Sequence, residues 1–158
     1  MAQVRRKVNG VITYGMDNWD GYAATRARLF KSIHQNNIKN VVVLTGDSHK
    51  NWVNDLHLDA DDINSPIIAT EFMGTSISSA GDGSEDSPAG KELMNLNSHI
   101  KFYNEQRGYV FFTITPTEML SEFKVVPFVS RPNAPMKTIA RFLVKNGISG
   151  VEQVVDLS

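Results

Sequence analysis

The clearest strand signal in the chain is Asn40 to Thr45, where Val41, Val42, Val43 and Leu44 follow one another without a polar break. A continuous β-branched run of that length suits a strand covered on both faces in a layered α/β fold. It stops at Gly46-Asp47-Ser48-His49. Upstream, Tyr22, Leu29, Phe30 and Ile33 recur at helical spacing, with Arg26, Arg28 and Lys31 mostly on other faces. Asp20 is placed to cap that helix and Asn36-Asn37 to end it.

Downstream the pattern predicts strands at Trp52 to Leu58 and Pro66 to Phe72, then a Gly/Ser/Asp-rich stretch from Gly74 to Gly90 read as a mobile surface loop. A short helix is expected from Pro88 to Leu96. Tyr109 to Thr115 and Met119 to Val126 form a strand pair across Pro116-Thr117-Glu118. A final hairpin is expected from Thr138–Val144 and Ile148–Val155, because they flank Lys145-Asn146-Gly147 and Asn-Gly is a strong turn signal. The class is α/β, strand-rich with one clear helix, and 158 residues suit one domain over 1–158.

Composition narrows the chemistry. The formal charge of −1 argues against nonspecific nucleic-acid or anionic-membrane binding, which needs a strong basic excess. It does not argue against a phosphate substrate, since a metal ion can supply positive charge locally. With no cysteine, the chain offers neither disulfides nor thiolate ligands and nucleophiles. No apolar run approaches the length of a membrane span, and the basic start Met1 to Lys7 lacks the apolar segment of a signal peptide.

The segment Gly46-Asp47-Ser48-His49 lies where α/β sheets place their chemistry, just beyond the carboxyl end of a strand. In an extended conformation Asp47 and His49 project to the same side, offering a hard oxygen and an imidazole, a mixed pair suited to an asymmetric metal site. An Asx-turn and an ordinary loop histidine are the competing account. Trp19 and Asp20 either shape a pocket or serve as a packed indole and a helix cap. His99 and Arg107 either contact phosphate or brace a turn, while Glu71, a carboxylate inside an apolar strand, requires a partner. His34 is expected to be solvated and His57 to face outward.

Several segments together resemble the PhoD-like alkaline phosphatases of the metallophosphoesterase superfamily. They are Met16-Asp17-Asn18-Trp19-Asp20-Gly21-Tyr22, Val42 to His49 with Trp52 and Asn54-Asp55-Leu56, Ala69 to Ile77, His99-Ile100-Lys101-Phe102, and Arg107-Gly108-Tyr109-Val110. The resemblance implies the second half of a layered metallophosphatase-type β-sandwich flanked by helices. It implies a two-metal hydrolase of phosphate esters, with Asp47 toward Ca²⁺ and His49 toward Fe³⁺; Glu71, from its place in an apolar strand, is expected to support such ligands from behind. It also implies phosphate scavenging outside the cytoplasm after twin-arginine export, on a signal upstream of this sequence. The family's earlier Cys, Asp, Tyr, Asn and Asp-Asp-His motifs do not occur here. Two ligands do not complete a two-metal centre. The chain is therefore expected to pair with a missing N-terminal half or with a second copy, or else to be a non-catalytic β-rich module.

Overall fold

In the computed structural model, which describes residues 1–154, the regular strand patterns become the two sheets of a sandwich. The first sheet contains β3 (Val42–Thr45), β4 (Asn51–His57), β5 (Ile67–Met73) and β6 (Ile100–Asn104) in the order β3-β5-β4-β6. Only β3 and β5 run parallel; β4 is antiparallel to both of its neighbours. The second sheet is an antiparallel meander of β7 (Arg107–Ile114), β8 (Glu118–Val126) and β9 (Lys137–Lys145), with β10 (Glu152–Gln153) beside β9. Along β8 every second residue is buried, from Met119 through Ser121 and Phe123 to Val125, the period expected of a strand with one face in a core.

Aromatic rings close the space between the sheets. Val53, Phe72 and Phe102 meet Met119, Phe123, Ala140, Phe142 and Val144. The Phe123 ring lies 5.0 Å from Phe102 and 6.0 Å from Phe142, the latter edge-on at 87°. Full burial of such a side chain contributes about 1.5–3 kcal/mol, and a favourable ring pair adds roughly 0.5–1.5 kcal/mol. A smaller cluster on the opposite face of the first sheet joins Leu56 and Ala69 to Phe30 of α1 (Ala23–Gln35).

The helix ends near Asn36-Asn37 as the sequence indicates, but its buried face differs from the expected one. Phe30 and Ile33 face inward, whereas Tyr22 and Leu29 are exposed. Arg26 is buried instead, because the equally buried Asp20 carboxylate meets its guanidinium at 2.8 Å and also accepts the Val4 amide at 3.1 Å. Asp20 is thus not the helix cap. Asn18 accepts the Asp20 amide at 2.9 Å and opens a 3₁₀ turn, Trp19–Tyr22, that leads into α1.

Three further expectations change. The Val41–Thr45 strand is covered on both faces only at its start, with Val42 packed on the inter-sheet cluster and Val41 and Val43 on the cluster around Phe30; β4 returns on the far side of β5, so β3 forms a sheet edge, and Leu44 is 59% exposed. The Gly74–Gly90 stretch is tied down rather than mobile. Asp82 accepts the Val129 amide at 2.7 Å, the Ser130 amide at 2.8 Å and the Ser130 hydroxyl at 2.9 Å. The final hairpin turns at Gly147 (φ 78°), but the Val151 amide then goes to Asp55 at 3.2 Å, which delays pairing until Glu152. Val155, the last residue of the expected strand, lies outside the described residues.

The helix at Pro88–Leu96, α2, forms as expected, with Ser87 as its cap accepting the Gly90 amide at 3.1 Å. Gly90 is required there: a Cβ would stand 2.2 Å from the Tyr103 ring on which α2 packs. The sequence reading missed β6 and a small hairpin of β1 (Arg6–Val8) and β2 (Val11–Thr13), which turns at Asn9-Gly10 with φ of 50° and 83°.

Candidate metal site at the end of β3

β3 delivers the chain to Asp47 and His49, but not in the extended conformation that would project both to one side. Asp47 has φ 72° and His49 φ 56°, and the Ser48 amide turns back to the Gly46 carbonyl at 2.9 Å. Asp and His enter the left-handed region more readily than β-branched residues. Held there, they still cost on the order of 1–3 kcal/mol each, so the surroundings must fix them. Asp47 is exposed and lines an open cavity of about 600 Å³, whereas half-buried His49 is not part of that lining.

The cavity floor is the polar side of the first sheet. Thr45, Trp52, Asn54 and Glu71 share it, because Glu71 pairs with Val43 on one side and with Asn54 on the other. Glu71 is wholly buried, and each of its oxygens is used. It accepts the Thr45 hydroxyl and the Asn54 amide, both at 3.0 Å, the Ala2 amide at 3.0 Å, and the nitrogen of Met1. Burial pushes its carboxyl up, and the hydrogen bonds it accepts from Ala2 and Asn54 oppose that. Through Thr45, Glu71 braces the strand end two residues before Asp47. Two atoms of the floor remain unsatisfied: the Trp52 Nε1 donor and the Asn54 Oδ1 acceptor are buried without a protein partner. Each such group costs about 1–3 kcal/mol when left unpaired.

The other candidates are scattered. Trp19 is half-buried and lines the cavity wall. Asp20 does not line it, its oxygens being engaged by Arg26 and Val4. His99 faces a separate pocket of about 30 Å³ beside Asp55 and His57, and its Nε2–H donates to the Gln3 carbonyl at 2.7 Å. Burial pushes its pKa below the ordinary histidine value, and His57, Arg5 and Lys101 add to this against the effect of Gln3. Asp55 moves the opposite way, raised by burial although Lys101 stands 3.5 Å away. His57 is half-buried rather than outward-facing, its Nδ1 paired with the Ser65 carbonyl at 2.9 Å, while His34 is exposed. Arg107 is buried behind His49 and donates to the His49 carbonyl at 2.5 Å.

Asp47 and His49 have the right donor chemistry for a hard and a borderline cation, respectively. Among the described residues, no group of three or more His, Cys, Asp or Glu side chains could hold a metal ion. The donor chemistry of these two side chains suits a cation, but among the described residues they do not make a complete site. Sequence reasoning missed Thr45, Trp52 and Asn54. The signal was the alternation Trp52, Asn54, Leu56 along β4, which puts two polar-capable groups on one buried face.

Comparison with known proteins agrees with this architecture. The family model described as PhoD-like phosphatase matches residues 1–123. Over 141 residues the chain is 42% identical to alkaline phosphatase D of Bacillus subtilis (strain 168), covering 89% of this chain and 24% of that protein. The solved structure of PhoD superposes with a TM-score of 0.91 at 38% identity, over 99% of this chain and 30% of that one. The chain thus spans about a quarter of the curated relative's length.

Proposed function

Because the chain belongs to the PhoD-like phosphatase family, we propose that it forms part of a metal-dependent hydrolase of phosphate monoesters and diesters, to which it contributes Asp47 and His49. The observation that carries the reading is the turn at the end of β3, where Asp47 opens onto a cavity floored by Thr45 and Glu71. When bound, a pair of metal ions supplies the positive charge that binds phosphoryl oxygens and lowers the pKa of an attacking water.

The residues of this chain do the holding. Asp47 offers a negative oxygen suited to Ca²⁺, and His49 an imidazole suited to Fe³⁺. Glu71 supports them indirectly, by fixing Thr45 and thus the strand end. Trp19 forms a wall against which the organic part of the ester rests. The remaining ligands, including a bridging carboxylate, come from the part of the relatives that this chain does not cover. By the same family relation the working location is outside the cytoplasm.

The test compares two preparations on an aryl phosphate with Fe and Ca supplied. The 158-residue chain alone is expected to show almost no turnover, and the chain joined to the uncovered portion of a PhoD-like phosphatase to be active. Robust turnover that follows the isolated chain through purification would overturn the partial-site reading. An inactive joined protein with an empty metal site would favour the non-catalytic module.

A further inference from the structure

We infer that Arg107 is a positioning residue for His49, fixing the direction of its imidazole by clamping its backbone rather than by touching phosphate. The inference rests on the reading of His49 as a metal ligand. Arg107 is 3% exposed and lies outside the lining of the cavity that Asp47 faces. Its Nη1 donates to the His49 carbonyl at 2.5 Å and to the Ser76 hydroxyl at 3.0 Å, and its Nη2 to the Glu105 carbonyl at 2.5 Å. Three chain segments distant in sequence are therefore joined at one planar fork.

The choice of side chain is informative. A buried guanidinium is costly without a counter-ion, and Arg107 forms no ion pair among the described residues. The carboxylate of Glu105 turns instead to Lys50 at 3.1 Å and to the Tyr103 hydroxyl, leaving Arg107 only the backbone oxygen. Its Nε is buried and unpaired. What the fork supplies is direction: holding the His49 carbonyl fixes the peptide plane after His49 and so restricts rotation about its Cα–C bond, in a residue whose φ of 56° already lies in the left-handed region. Gly83 makes room for it, since a Cβ there would stand 2.8 Å from Nη2.

A phosphate-binding role fits these facts poorly. Both terminal nitrogens already donate to protein oxygens, and the side chain is sealed from the cavity. A direct ligand-holding role is excluded because the guanidinium carries no lone pair to give.

The test uses full-length phosphatase carrying this sequence, with metal content per folded protein, melting temperature, kcat and KM measured together. Arg107→Lys keeps the charge but loses the fork; Arg107→Met loses both. The expected result is a graded loss of the metal held at His49, wild type above Arg107→Lys above Arg107→Met. With it kcat falls about tenfold or more in Arg107→Met, as for other groups that orient ligands, while KM changes little. A lower melting temperature with full metal content and full kcat would overturn the inference and leave Arg107 a structural residue. A raised KM with metal content intact would also overturn it, in favour of substrate contact. Should Arg107→Met fail to fold, Arg107→Lys decides alone, and wild-type occupancy there would sink the idea. His49→Ala is the separate control: if it keeps all its metal, the ligand reading itself fails, whatever the Arg107 variants do.

Discussion

The β3-β5-β4-β6 sheet has two faces of opposite character. On one, Val53, Phe72 and Phe102 are locked against the aromatic side of the second sheet, and the core is closed by residues of this chain. On the other, the same strands present Thr45, Trp52, Asn54 and Glu71 to an open cavity, with two buried polar atoms unpartnered. The period-2 alternation of a strand makes this division possible, since one residue of each neighbouring pair can serve packing while the other serves chemistry. On the proposed function, stability and chemistry are therefore written into adjacent residues, and the cavity face is the less self-sufficient of the two.

The comparison can be broken by mutation. The largest effect should come from the closed face: Phe123→Ala should cost about 3–5 kcal/mol, while Leu44→Ala on the exposed sheet edge should stay within about 0.5 kcal/mol. Urea unfolding of both variants measures this, and similar losses would mean that the edge is in fact packed. Next, Glu71→Ala strips the acceptor from the Thr45, Asn54 and Ala2 donors and should cost about 3 kcal/mol. If it proved neutral, the open face would owe nothing to that carboxylate.

Smaller effects probe the periphery of that face. The pKa of His99 is depressed in the folded chain, so the unfolded chain takes up the proton first as pH falls. Stability should thus be full well above about pH 6.5 and decline as pH drops through and below that value. His99→Gln should flatten this part of the profile in unfolding measured at several pH values, and an unchanged slope would assign the decline to another group. The smallest effect is local. Asp82→Ala removes the acceptor for the Val129 and Ser130 amides, whose bonds hold the Asp82 carboxyl below its usual range. Hydrogen exchange at those two amides should quicken and protease should enter the 74–90 segment, with global unfolding little altered. Unchanged exchange would mean that other contacts hold the segment.

The contrast also explains what the sequence could and could not disclose. Regular alternation at Met119 to Val126 and the Ser87-Pro88 helix start are local signals, and both elements formed where expected. The apolar run at Val41 to Thr45 signalled a strand with packing on both faces, but not its place at the sheet edge or the exposure of Leu44; strand order decides those, and it is not local. The burial of Arg26 depended on Asp20 reaching it across a 3₁₀ turn. The hairpin at Asn9-Gly10 was legible, carrying the same Asn-Gly signal used at Asn146-Gly147, and was overlooked. At the site, Asp47 and Glu71 could be singled out by residue type and position. The backbone geometry of the Asp47–His49 pair could not, because both residues adopt the left-handed conformation rather than the extended one that the alternation assumed.

The most direct test of the central proposal sets Asp47 against Asp82 in full-length phosphatase carrying this sequence. Asn at position 47 keeps the size and one carbonyl oxygen but removes the charge that binds a divalent ion and offsets its dehydration. Metal content and turnover of Asp47→Asn should both fall, turnover by at least the roughly 10–100-fold seen when a supporting group is lost. Asp82→Asn, which alters a carboxylate committed to Val129 and Ser130, should leave both close to wild type. Full metal content and turnover in Asp47→Asn, with a depleted site in Asp82→Asn, would contradict the account and move the ligand into the 74–90 segment.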